Sequence, residues 1–162
     1  MTADPPQGRI APPPVLRRGA PAAVLAALPG ARAVGGAVRD TLAGRPVQDV
    51  DVAAPLPPEE VARRLEAAGL RVFETGLAHG TVTAVLEGEA VEVTSLRRDL
   101  ATDGRHATVD WTSDWQEDAA RRDFTINAMS LSPAGALRPS LTARADLPPA
   151  RPRFDSVSAT RL

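Results

Sequence analysis

Two aspartates separated by one residue, Asp49 and Asp51, are the sharpest chemical feature of the sequence. They lie in the segment VQDVDVAA, residues 47–54, whose alternating apolar and polar residues predict a β-strand. On a strand, residues i and i+2 project from the same face, so both carboxylates would point the same way and repel each other unless a cation lies between them. Taken alone, the pair is more often a solvated surface feature than a metal site.

A glycine turn, Gly35-Gly36, precedes these aspartates. The pattern predicts a short buried strand over 31–36 that runs into the turn and a helix over 37–45 that follows it. Glycines let backbone amides and a helix N-terminus approach a phosphate closely. Arg39, one turn into the helix, can reach a phosphate oxygen or pair with a neighbouring acid. A strand-to-helix turn that binds nothing is the alternative.

Glu92 is a third candidate carboxylate, on a segment whose flanking valines face the other way. If its strand lies beside the strand of Asp49 and Asp51, three carboxylates converge. Such a trio can hold two divalent ions roughly 3.5–4 Å apart for in-line phosphoryl or nucleotidyl transfer. The alternative is an exposed glutamate on a half-buried hairpin.

A helix is predicted over 113–129, with acidic residues in its early turns. Asp123 and Asn127 are four residues apart and share a face of this helix. A carboxylate and an amide there can hydrogen-bond a ribose, while Arg122 neutralises triphosphate charge. From spacing alone, a surface helix with an Asp118–Arg122 pair is the favoured interpretation.

The elements that must position these side chains follow from the periodicity of the remaining segments. A helix is predicted after Pro21 and another over 57–69, where Pro and Glu begin the helix and Gly ends it. Further strands are predicted at 71–74, 80–87 and 89–97, with Gly88 in a tight turn, followed by an irregular polar stretch over 98–112. The fold class is therefore α+β, with a small mixed, largely antiparallel sheet and flanking helices.

The 162 residues suit one domain, and their net charge of −1 indicates no particular partner. The central residues 21–130 are acidic, whereas both ends are basic and rich in proline. Residues 1–20 are predicted to be disordered. The absence of cysteine excludes disulfides and thiol catalysis. No apolar run is long enough for a membrane span, and no signal peptide is evident, so a cytoplasmic protein without a membrane partner is expected.

Six motifs occur in a specific order along the chain. They are G-G-A-V-R-D at 35–40, L-x-G-R-P-V-x-D-V-D-V at 42–52, H-G-T-V-T at 79–83, V-E-V-T-S-L-R at 91–97, G-R-H at 104–106 and E-D-x-x-R-R-D-F-T-I-N-A-M at 117–129. This ordered set resembles the head domain of bacterial tRNA nucleotidyltransferases and poly(A) polymerases, in the polymerase-β-like nucleotidyltransferase superfamily. The resemblance covers roughly residues 23–137 and implies the fold of that superfamily.

The resemblance implies that Asp49 and Asp51 bind catalytic Mg²⁺, with Glu92 as the third carboxylate. The nucleotide-binding residues that it implies are Gly35, Gly36 and Arg39 at the triphosphate, Arg122 at the nucleotide, and Asp123 and Asn127 near the ribose. The implied reaction is attack of an RNA 3′-hydroxyl, such as a tRNA 3′ end, on the α-phosphate of CTP or ATP with release of pyrophosphate. CCA-adding, A-adding or CC-adding enzymes and poly(A) polymerases share this head.

Residues 138–162 depart from the family pattern, since Pro139 stands where the family has an acidic residue. The expected organisation is a disordered segment at 1–20, a head domain at 21–137, and a divergent tail at 138–162 that is either disordered or reshaped. The family's neck, body and tail domains are not in the sequence, so weak or no activity is expected of the chain alone. A non-catalytic nucleotide- or RNA-binding remnant and one subunit of a split enzyme, with a separate chain supplying the missing domains, are the alternatives.

Overall fold

A computed structural model describes residues 8–76, 79–99, 109–120 and 129–138. Four α-helices are described: α1 (Gly19–Ala27), α2 (Gly36–Leu42), α3 (Pro58–Ala67) and α4 (Trp115–Ala120). The described strands are β1 (Gly8–Arg9), β2 (Arg32–Val34), β3 (Asp51–Ala54), β4 (Arg71–Gly76), β5 (Thr81–Leu86), β6 (Glu89–Ser95), β7 (Arg97–Asp99), β8 (Val109–Trp111), β9 (Ser130–Leu131) and β10 (Ala136–Arg138). A short 3-10 helix spans Pro14–Arg17.

Eight of these strands form one sheet in the order β1-β10-β9-β2-β3-β6-β5-β4. Neighbouring strands in this sheet are antiparallel except β3 and β6, which run parallel. Strands β7 and β8 form a separate antiparallel ribbon. The sheet is therefore mixed and largely antiparallel, and its one parallel pair brings two segments that are distant in sequence side by side.

One face of the sheet is apolar and carries the core. Val52, Val93 and Val82 are register partners on β3, β6 and β5, and all three are fully buried. Helices α1 and α3 pack against β5 and β6, and Val61 and Leu65 of α3 belong to the same core. Because side chains alternate between faces along a strand, the residues next to each of these valines in the chain project to the opposite face of the sheet.

The disorder predicted for residues 1–20 is wrong for the described part of that segment. Strand β1 pairs with β10, and Leu16 in the 3-10 helix is 4% exposed. Proline is compatible with the first turn of a helix, where its missing amide hydrogen has no partner to lose. The apolar residues between the prolines therefore still reach the core, and the boundary predicted after residue 20 lies inside the folded body.

The strand predicted over 47–54 is shorter, since β3 begins at Asp51. Its antiparallel neighbour β2 ends where Val34 pairs with Asp51, and the chain then enters the Gly35 turn and α2. The segment before Asp51 has no strand partner on that side. Asp49 thus lies outside the strand, and its placement on one strand face with Asp51 is wrong.

The stretch 98–112, predicted to be irregular, has regular ends that form the β7–β8 ribbon. The hairpin predicted at Gly88 is confirmed: Glu87 and Gly88 both have positive φ, at 50° and 82°, as a two-residue turn between paired strands requires. Within the described ranges, none of the helices has the length and apolar character to cross a membrane.

Candidate active site

Asp51 and Glu92 face each other across the parallel pair of strands. They are register partners on β3 and β6, so their side chains project from the same face of the sheet. That face is opposite to the buried valines, and both carboxylate residues are solvent-exposed. The strand of Glu92 therefore lies beside the strand of Asp51, which is the condition for their carboxylates to converge.

Asp49 approaches the pair from the segment that leads into β3. The pKa of Asp51 is raised first by partial loss of hydration, then by the negative charge of Glu92, and then by that of Asp49. Each of these causes disfavours a negative charge on Asp51. A bound cation would relieve the repulsion among the three carboxylates, so the electrostatics fit a divalent metal.

The carboxylates form an open acidic cluster on the sheet face and do not enclose a metal ion on all sides. Among the described residues, no group of three or more His, Asp or Glu side chains is arranged to hold a metal ion by itself. Mg²⁺ is commonly held by one or two carboxylates, with the remaining ligands supplied by water and substrate phosphates. Two aspartate carboxylates beside a partly exposed glycine turn fit that mode of binding.

The glycine turn lies directly against Asp51. Gly35 has φ 69° and ψ −134°, a combination that side-chain-bearing residues rarely adopt. A Cβ atom on Gly35 would lie 3.9 Å from the Asp51 carboxylate oxygen Oδ2. The turn therefore brings backbone to the same point as the carboxylates, as a site for a metal-bound phosphate requires.

Arg39 folds back towards this turn from α2. A Cβ atom on Gly36 would lie 3.3 Å from the Arg39 nitrogen Nη2, so glycine leaves room for the guanidinium. Arg39 also contacts Asp40 at 3.7 Å, and its side chain is 48% exposed. A guanidinium and a glycine turn next to two carboxylates combine positive and negative groups in one place, which suits a metal–triphosphate complex.

The predicted residues Arg122, Asp123 and Asn127 lie outside the described residues. Of the helix predicted over 113–129, the structure describes α4 over Trp115–Ala120.

Two contacts that the sequence analysis did not identify anchor the start of α4. The Arg32 guanidinium on β2 lies 4.1 Å from the centre of the Trp115 ring, and the buried Asp118 carboxylate accepts a hydrogen bond from the Arg97 amide at 2.9 Å. Nothing in the local sequence marks these contacts, because each joins elements that are far apart in the chain.

Residues 31–147 match the family model for the poly A polymerase head domain. The chain belongs to the poly A polymerase head domain family. The mixed α+β fold expected from the sequence is confirmed by the solved structures of a CCA-adding enzyme and of a tRNA-processing enzyme.

Curated relatives carry names from the same family. The chain is 46% identical over 132 residues to the mitochondrial CCA tRNA nucleotidyltransferase 1 of Danio rerio, covering 81% of this chain and 31% of the relative. It is 42% identical over 106 residues to the CCA-adding enzyme of Geobacillus kaustophilus, covering 64% of this chain and 25% of the relative. The chain therefore spans about a third or less of the curated relatives that it matches.

Solved structures of related enzymes show the same fold. The Bacillus stearothermophilus CCA-adding enzyme in complex with CTP matches with a TM-score of 0.57 and 34% identity, over 81% of this chain and 33% of that one. A tRNA nucleotidyltransferase complexed with a primer tRNA and an incoming ATP analog matches with a TM-score of 0.52 and 31% identity, over 72% of this chain and 32% of that one.

Proposed function

We propose that this chain is the catalytic head of a tRNA nucleotidyltransferase that transfers nucleotides from CTP or ATP to an RNA 3′-hydroxyl. The observation that carries the proposal is the meeting of Asp51, Glu92 and the Gly35 turn on one face of the sheet. The names of the relatives support tRNA 3′-end synthesis as the reaction. The related structures with CTP and with primer tRNA support these molecules as partners.

Asp49 and Asp51 would hold Mg²⁺, and their donor chemistry fits that ion. When bound, Mg²⁺ supplies activation of the attacking hydroxyl and stabilisation of charge on the leaving pyrophosphate. Glu92 lies beside Asp51 and adds negative charge on the side away from the glycine turn. These carboxylates thus set where the α-phosphate can sit relative to the sheet.

The turn residues Gly35 and Gly36 and the Arg39 guanidinium would orient the β- and γ-phosphates. Because the Gly35 turn lies on the far side of Asp51 from Glu92, phosphates held there would place the leaving group opposite a hydroxyl that arrives from the Glu92 side, as in-line displacement requires. The roles of Arg122 at the nucleotide and of Asp123 and Asn127 near the ribose stay predictions.

The test measures CTP and ATP binding with and without Mg²⁺, together with incorporation of labelled nucleotide into tRNA lacking its 3′ end. We expect Mg²⁺-dependent nucleotide binding that Asp51→Ala abolishes. Weak incorporation that rises when neck and body domains are supplied as a separate chain would support the split arrangement. Failure to bind either nucleotide in Mg²⁺ would contradict the proposal and favour a non-catalytic remnant.

The proposal includes a cytoplasmic location for the protein. The cysteine-free sequence is compatible with the cytoplasm. The relatives from Danio rerio and Mus musculus are named as mitochondrial. Fractionation of the source cells with an antibody to this chain would distinguish the two compartments.

A further inference from the structure

A single row of side chains runs from the carboxylates to the edge of the sheet. Asp51 pairs in register with Glu92 on β6, Glu92 with Thr83 on β5, and Thr83 with Phe73 on β4. Register partners project from the same face, so all four side chains lie on the face that carries the candidate active site. We call these four residues the cross-strand row. Three strand spacings of about 4.8 Å place Phe73 about 14 Å from Asp51.

Phe73 ends this row as an exposed aromatic ring. It is 44% exposed and stands out as the large apolar side chain on the surface of the described chain. The Arg71 guanidinium, two residues earlier on the same strand, lies 5.4 Å from the ring centre. Beside them, the hydroxyl oxygens of Thr75 and Thr83 lie 2.8 Å apart. Proteins that bind single-stranded nucleic acid combine aromatic side chains, on which bases stack, with nearby positive charge, and Phe73 and Arg71 supply both features.

The geometry of in-line displacement indicates which substrate lies near Phe73. The Gly35 turn lies on the β2 side of Asp51, and Glu92 lies on the other side. In an in-line displacement the attacking and leaving oxygens lie on opposite sides of the phosphorus atom. If pyrophosphate leaves on the side of the glycine turn, the RNA 3′-hydroxyl arrives from the Glu92 side. The RNA strand behind that hydroxyl then extends over β5 and β4.

The geometry points to Phe73 and Arg71 as a subsite for the single-stranded 3′ end of the RNA primer. A primer base stacks on the Phe73 ring, and Arg71 neutralises a neighbouring phosphate. At about 3.4 Å per stacked nucleotide, 14 Å corresponds to about four nucleotides from the reacting end, and to fewer in an extended strand. This assignment rests on the proposed function and names the surface that holds its RNA substrate.

The experiment measures binding of this chain to a hairpin RNA with a short single-stranded 3′ overhang, and to the same hairpin with a blunt end. 2-Aminopurine placed at successive overhang positions reports stacking through its fluorescence. The variants are Phe73→Ala, Phe73→Trp and Arg71→Ala. Arg63→Ala is the matched control, because it removes the same charge from α3, which packs on the opposite face of the sheet.

We expect Phe73→Ala to weaken binding of the overhang RNA by about 5-fold or more, with little change for the blunt RNA. Phe73→Trp should retain binding and the 2-aminopurine signal. Arg71→Ala should lower the slope of log affinity against log salt by about 0.7, whereas Arg63→Ala should leave it unchanged.

Two negative outcomes are distinguishable. Equal overhang binding by Phe73→Ala and the native chain, with Mg²⁺-dependent CTP binding intact, would overturn the subsite and leave the proposed function standing. Failure of the native chain to bind either RNA would overturn the subsite together with the RNA substrate of the proposed function. Circular dichroism of each variant verifies that the exposed substitutions leave the fold intact.

Discussion

Replacement of Gly35 by alanine tests whether the turn beside Asp51 is part of the nucleotide site. With φ 69° and ψ −134°, Gly35 adopts a backbone conformation that costs a side-chain-bearing residue about 1–3 kcal/mol. Space is not the obstacle, because the added Cβ would meet the nearest Asp51 oxygen at an ordinary contact distance of 3.9 Å. The substitution therefore either lowers stability by that strain or forces the turn into a different shape.

We expect the free energy of unfolding of Gly35→Ala to fall by about 1–3 kcal/mol, measured by urea denaturation. We expect its affinity for Mg²⁺–CTP to fall by about 10-fold or more, measured by calorimetry, because a displaced amide loses a charge-assisted hydrogen bond to phosphate. Gly88→Ala is the matched control: Gly88 also has positive φ, at 82°, with nothing near its missing Cβ, and it lies in the β5–β6 turn. It should lose stability and keep nucleotide affinity. Native CTP affinity in Gly35→Ala would refute the role of the turn.

Three further predictions concern the carboxylates, the anchoring of α4 and the charges of α3. Asp51→Asn should leave the unfolding midpoint in Mg²⁺-free buffer unchanged or higher, because it removes the charge repulsion with Glu92. The same substitution should abolish Mg²⁺-dependent CTP binding, and a marked loss of stability would contradict this account. Trp115→Leu should lower the free energy of unfolding by about 0.5–2 kcal/mol, since it removes the ring that the Arg32 guanidinium contacts. In a double-mutant cycle with Arg32→Ala, strictly additive losses of unfolding free energy would argue against this contact. Hydrogen bonds from Arg63 and Arg64 lower the Glu60 pKa from 4.5 to about 2, so the ionised Glu60 side chain stabilises the fold fully above about pH 4.5, and this stabilisation is lost as the pH falls towards 2. The difference in melting temperature between the native chain and Glu60→Gln should therefore shrink over that range, and a constant difference would refute the assignment.

The helix over 58–67 shows how much of the fold is predictable from local sequence. Its first-turn proline and glutamates and its Val61/Leu65 stripe indicate a helix packed on one side, and α3 has that form. The Gly88 hairpin is predictable for the same reason, since the preference of glycine for positive φ is a local property. Both interpretations depend on residues within one or two turns of each other.

Asp49 shows where such inference fails. Alternation of apolar and polar residues predicts a strand through residues 47–54, but a strand also needs a neighbour for its backbone hydrogen bonds. The chain turns away at Gly35, so β3 begins only at Asp51. The carboxylate of Asp49 still influences Asp51, through proximity rather than through a shared strand face.

The residues alone specified the candidate aspartates, the glycine turn and an α+β pattern, because these follow from residue chemistry and short-range periodicity. The tertiary structure determined which of them meet. Glu92 joins Asp51 because β3 and β6 pair in parallel, and no local pattern encodes that neighbour. Phe73 lies on the face of the carboxylates for the same reason, since only the register across β6, β5 and β4 places it there. Strand pairing is set by the burial of the whole apolar face, which is a property of the folded chain rather than of any one segment.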